Sequence, residues 1–287
     1  MARSWRILVL AAALCCGPSR PCAGGVLDSI RGELNESSGG SSSGGGGGDG
    51  SGRSGGGSSW STDDDEEDPF AELAVWLTLG VVTSPFTLPV ILIGDSYEHQ
   101  AVFPESPYAA DGDGYLLLSD DSAEGRNWAA RLSIETGGNF DDLSLLGGRL
   151  QLETGSRLGL DAAWSTFNEN LGGRRDRLTL GDANFLFRFA QSESIQFASG
   201  IGFNWMADED DFDAGFNFTY GFDWFPVRPL VVSSTIDLGA LGGATLFRSR
   251  TTVGAMIDRF EAYSGFDYLN VEGIDVPMGI AGLRIWY

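Results

Sequence analysis

Residues 216–224 read Phe-Asn-Phe-Thr-Tyr-Gly-Phe-Asp-Trp. An aromatic residue stands at every even position, and Asn, Thr, Gly and Asp fill the odd ones. A period of two puts all five rings on one face of an extended strand and the small polar residues on the other. Helical spacing would scatter the rings around the axis, so this stretch reads as a strand with a large apolar face.

The same pattern continues on both sides. Upstream, Ile195, Phe197, Ile201, Phe203 and Trp205 alternate with Gln196, Gly200, Gly202 and Asn204. Downstream, Leu230, Val232, Ile236 and Leu238 oppose Ser233, Thr235 and Asp237. From Trp128 to Tyr287 the alternation recurs ten times, in segments mostly about 9–14 residues long, whereas strands in soluble domains are typically about 5–6. Strands that cross an outer membrane at a tilt need about 9–11. The polar face is small and Gly-rich, which suits a confined interior and not the long, mobile, charged outside of a soluble sandwich. Connections alternate in length. Gly155-Ser156, 191–194, 226–229 and Asp258-Arg259 are short; 137–147, 168–176, 207–213, 239–244 and 270–277 are longer. The expectation is an all-β, antiparallel, up-and-down transmembrane barrel of about ten strands (8–12) over residues 126–287. Counted back from a periplasmic C-terminus, every longer connection falls outside the cell.

Parity assigns the interior. Arg131, Arg149, Arg157, Arg188, Arg248, Arg250 and Arg284 point inward, with Glu135, Glu153, Asp161, Asp182, Asp223, Asp237, Glu261 and Asp267. Buried charge is tolerated when paired, and the planar guanidinium grips carboxylates with two bonds. These residues are expected to form an ion-pair network that fills and closes a barrel of this size.

The last strand, 278–287 (MGIAGLRIWY), ends on an aromatic residue with Leu283, Ile285 and Tyr287 on one face. Together with the alternating strands, it resembles the bacterial outer-membrane β-barrel proteins, over about residues 126–287. In that family a terminal aromatic strand is read by the barrel-assembly machinery, so Leu283, Ile285 and Tyr287 are the implied assembly signal. Tyr287 stands where Phe is commoner. The resemblance implies outer-membrane lipid as surroundings and no particular activity.

The N-terminal part reads differently. Arg3 and Arg6 precede the apolar run 7–14, and small residues surround Ala23-Gly24-Gly25, so residues 1–24 read as a signal peptide. Cys15, Cys16 and Cys22 all lie within it. Lipidation at Cys15 or Cys16 is the competing reading, against which Leu14 stands where a small residue is usual. Residues 25–68 read as a disordered linker: 36–59 are nearly all Ser and Gly, and 63–68 are wholly acidic. The segment 69–125 is expected on the periplasmic side. It opens with an apolar helix from Phe70 to about Val82, followed by an extended apolar stretch, because Pro85 and Pro89 argue against one continuous helix.

Composition narrows the function. Net charge is −22, and the 18 basic residues are all Arg. Nucleic acid is excluded as a partner by this charge. The lack of Lys removes P-loop, Schiff-base and Ser-Lys chemistry. The one His, His99, precedes the barrel on the side away from its outward loops, which argues against a His-dependent barrel enzyme. No cofactor is implied, and no metal site beyond an acidic loop, Asp208, Asp210, Asp211 and Asp213, that lacks full calcium-ligand spacing. A second oxygen-rich stretch, 111–114, lacks it as well. The leading expectation is a non-enzymatic barrel with a structural or surface-interaction role. The alternatives are a narrow passive channel, a His-free lipid-modifying enzyme and a soluble secreted barrel for an apolar ligand.

Overall fold

The computed structural model of the protein describes residues 25–38, 80, 83–97, 100–109, 112–118, 125–139, 142–208 and 211–287. The proposed signal peptide, His99, Asp210 and the acidic run 63–68 lie outside them.

Ten antiparallel strands follow one another: β1 (Trp128–Gly138), β2 (Leu143–Thr154), β3 (Leu158–Asn170), β4 (Arg175–Gln191), β5 (Ile195–Ala207), β6 (Phe212–Val227), β7 (Leu230–Leu241), β8 (Ala244–Ile257), β9 (Phe260–Val271) and β10 (Ile274–Trp286). Each pairs with its sequence neighbours, and β10 pairs with β1 from Arg131↔Trp286 to Gly138↔Gly279, closing the barrel. Closure leaves no edge, and every strand finds backbone partners on both sides, as a bilayer demands.

The alternation sorts residues as expected. Leu132, Ile134, Phe185, Ile201, Phe203, Phe216, Val253 and Phe266 stand at least half exposed on the outer wall. Outward glycines have a separate use. A Cβ on Gly148 would fall 2.4 Å from the Trp164 ring, and one on Gly181 2.3 Å from the Trp205 ring. Both indoles lie flat over the backbone of the neighbouring strand, which only glycine permits.

Three expectations are corrected. The strands run 11–17 residues, and this extra length shortens the outward connections. Between β7 and β8, and between β9 and β10, two-residue turns stand where longer loops were expected. In the second, Glu272 (φ 46°) and Gly273 (φ 88°) are both left-handed, the conformation of a tight hairpin turn. Next, part of the linker is ordered: α1 (Val26–Ser38) is a helix whose Leu27, Ile30 and Leu34 share one buried stripe. Finally, residues 83–93 are helical where an extended stretch was expected. Proline at position 89 is compatible with this because the carbonyl it strands, that of Pro85, accepts a hydrogen bond from Tyr220 Oη at 2.8 Å. This helix lies on the outside of the barrel wall, where Phe86 meets Phe189 (5.3 Å), Tyr220 (5.8 Å) and Phe218 (6.4 Å).

Candidate functional site

The barrel interior is the candidate site, and it has three levels. The far mouth is the end away from the C-terminus, the base mouth holds the start of β1 and the end of β10, and the waist lies between.

At the far mouth the strands turn apolar residues inward: Leu143, Leu145, Phe167, Leu178, Met206, Leu241, Leu269 and Val276. Helix α1 sits among them, with Leu27, Ile30 and Leu34 as its contacts. Polar groups fix its position. Glu169 of β3 accepts the free amides of Val26 (2.8 Å) and Leu27 (3.1 Å) at the helix start, supplying the side-chain cap that Gly25 has no side chain to give. Arg31 donates both terminal nitrogens to Asp176 at 2.7 Å and also binds Asp208 and the Arg177 carbonyl.

The waist is polar. Arg149 holds Asp161 with two bonds, at 2.6 and 2.8 Å. Arg248 holds Asp267 in the same way, at 3.0 and 2.6 Å, and Arg250 reaches Asp267 at 2.9 Å and Glu135 at 2.8 Å. Arg284 grips Glu261 at 3.0 Å, which also accepts the Trp286 indole N–H at 2.8 Å. Arg131 pairs with Asp223 at 2.9 Å, and Arg188 with Glu153 at 2.6 Å. Asp182 and Asp237 take their bonds from amides, of Asn184 at 2.8 Å and Asn217 at 3.4 Å. The remaining room is small: one cavity among Arg131, Arg149, Asp223 and Arg284 measures about 40 Å³, and another beside Asp182 and Asp237 about 10 Å³. Volumes of this size hold water molecules and little else.

The base mouth is aromatic. Residues 101–109 and 112–118 enter it; the bridge Val102↔Leu117 ties this segment to itself, and Phe103↔Arg126 ties it to the chain leading into β1. Tyr115 packs on Trp286 (4.7 Å), Phe103 (5.3 Å) and Phe225 (6.3 Å), and Tyr108 packs on Phe225 (5.8 Å). Beside this cap, Asp95 accepts two bonds from Arg157 (2.7 and 2.8 Å) and the Gln191 amide (2.9 Å). Burial pushes the Asp95 carboxyl up, but Arg157 and the amides of Tyr97 and Gln191 more than offset this and hold it below the usual carboxylate range.

Of the fifteen charged residues assigned to the interior, fourteen lie on the inner faces of strands. Arg157 is the correction: it occupies the β2–β3 turn at φ 70°, beyond the end of β2, and serves the base mouth. Sequence reading missed Asp95 and the whole α1 contact, including Glu169 and Arg31. The apolar spacing Leu27, Ile30, Leu34 was the available signal for α1. In the acidic loop, Asp208 is engaged by Arg31, and among the described residues no three side chains converge as metal ligands. Leu283, Ile285 and Tyr287 are exposed on the outer wall, where Tyr287 packs on Trp128 (5.4 Å) under Arg126 (4.3 Å).

No family model and no curated protein matches the chain. Among solved structures it is similar to a KdgM porin, at 9% identity and TM-score 0.25, over 55% of this chain and 98% of that one. A KdgM porin in complex with disordered oligogalacturonate matches with the same values. Closed strands, an apolar outer wall and a polar core make the chain a small outer-membrane β-barrel.

Proposed function

We propose that this protein is a non-enzymatic, non-conducting barrel of the bacterial outer membrane with a structural or surface-interaction role. The observation that carries the reading is the filling of the interior at three successive levels: α1 at the far mouth, the ion-paired waist, and the aromatic cap at the base. Any one of these narrows a path, and the three together leave cavities of water size. With the interior filled, the surfaces left for interaction are the outer wall and the rims.

Planar-bilayer recording with the full-length chain tests this. No conductance steps are expected, with or without residues 26–38, because the waist closes the lumen independently of α1. Steps in the full-length chain would establish the narrow-channel alternative. Steps only after removal of α1 would make the protein a plugged channel and overturn the non-conducting reading.

A further inference from the structure

The helix over 83–93 has an unusual environment. Its sequence, TSPFTLPVILI, contains no charged residue. Phe86, Pro89, Val90 and Ile93, spaced i, i+3, i+4 and i+7, form the less exposed face toward the barrel, while Leu88, Ile91 and Leu92 point away from it at 52, 72 and 76% exposure. The surface they continue is the apolar wall that the barrel itself presents to lipid. A helix apolar on every side is suited to hydrocarbon and not to water.

Two of its polar groups are met in the way hydrocarbon requires. Thr87 donates its hydroxyl back to the Thr83 carbonyl at 3.2 Å. The carbonyl stranded by Pro89 is taken by Tyr220, from a residue midway along β6. The direction of the helix matters equally. Its C-terminal end runs into Asp95, bound to Arg157 at the base mouth. Its N-terminal half lies against Phe218 and Tyr220. Eleven residues rise about 16 Å, so the helix climbs the outside of the wall from the base toward the far mouth.

The far mouth is where α1 lies, with the whole waist between it and the base mouth that holds residues 101–118. The chain between Ser38 and Asp95 must therefore pass from one end of the barrel to the other. The waist has no room for it, since its cavities measure about 40 and 10 Å³. We propose that the helix over 83–93 is immersed in acyl chains beside β4–β6 and carries the chain over about 16 Å of its passage past the barrel through the membrane, an apolar band about 25 Å tall. Helix α1 and the Ser/Gly tether then lie on the opposite side of the membrane from residues 95–118. With the base mouth periplasmic, the tether is displayed at the cell surface.

Two measurements on the full chain test this. A thiol is placed in the tether by Ser51→Cys and at the base by Glu105→Cys, whose parent side chain is 82% exposed. Intact cells are treated with a membrane-impermeant maleimide, with the unsubstituted chain setting the background. Ser51→Cys is expected to label in intact cells as fully as in lysed cells, and Glu105→Cys only after lysis. Labelling of both from the same side overturns the crossing. Separately, Ile91→Cys carrying an environment-sensitive nitrobenzoxadiazole dye is reconstituted in phosphatidylcholine vesicles. Blue-shifted emission quenched by doxyl lipids is expected. Water-like emission quenched by iodide overturns the immersion of the helix.

Discussion

The interior of this barrel is packed in two ways. At the waist, the strands satisfy one another: guanidinium forks from one strand take carboxylates from another, as Arg248 and Arg250 do with Asp267. At the mouths, the strands turn apolar residues inward, and chain from before the barrel covers them. Without α1, Leu178, Leu241, Leu269 and Val271 would face water; with it they are almost wholly buried. The waist is therefore closed by the barrel's own residues, while the mouths are closed by additions to it. Damage at the waist should spread to the whole barrel, and damage at a mouth should stay local.

Asp267→Ala should show the largest effect. It leaves two buried guanidiniums short of a carboxylate, and breaking a buried pair from one side costs about 3–5 kcal/mol. A lowered urea midpoint and loss of the compact unboiled gel form are expected. Replacing Arg248 by Met and Asp267 by Leu together should cost less than Asp267→Ala alone, because it removes one charge of each sign. A larger cost for the double variant would contradict the pairing. Ile30→Ala comes next. Truncating a buried Ile costs about 2–4 kcal/mol, and here the loss falls on the docking of α1. Protease cleavage after α1 residues should accelerate while the barrel's heat-modified mobility is unchanged. Global unfolding by this variant would show that α1 is integral to the barrel and not an addition.

The same contrast explains what could be read from the sequence. The ten strands and the waist were legible because period two and charge parity are properties of single strands. Fourteen interior charges follow from parity alone. The mouths were not legible, because Leu143, Phe167 and Met206 obey the parity but reverse the polarity, which makes sense only once α1 is in place. Composition concealed α1 itself: thirteen residues at the edge of a Ser/Gly tract carry an apolar stripe of only three side chains. Pro85 and Pro89 argued against a helix, and the bond that makes this helix tolerable comes from Tyr220, more than a hundred residues away. Odd-numbered residues face inward on both β2 and β3, so parity alone could not show that Arg157 sits in the turn between them at φ 70° and pairs with Asp95 at the base mouth.

At the base mouth, Asp95 joins the preceding chain to the barrel. Its carboxyl titrates below the usual range in the folded state. The stabilisation this provides is complete above the unfolded value, about 3.9, and is lost as the pH falls through the lower folded value. Acidification to below pH 4 should therefore release residues 95–118, read as faster proteolysis there. Asp95→Asn should produce that state at neutral pH, at a cost of about 1.5–3 kcal/mol for lost charged hydrogen bonds, and remove the acid dependence. An unchanged acid response in Asp95→Asn would assign the release to other carboxylates.

The smallest effect separates the outer wall from both interior regions. Tyr220→Phe keeps the ring against Phe86 and Phe189 and removes only the donor to Pro85. A typical hydrogen bond contributes about 1 kcal/mol, and a carbonyl left without a partner in hydrocarbon adds to the loss. The barrel should keep its urea midpoint, since no strand or waist residue depends on this hydroxyl. The helix over 83–93 should instead detach more often, seen as greater mobility of a spin label at Ile91→Cys. If the label's motion is unchanged, ring packing alone holds the helix, and the stranded carbonyl is satisfied some other way.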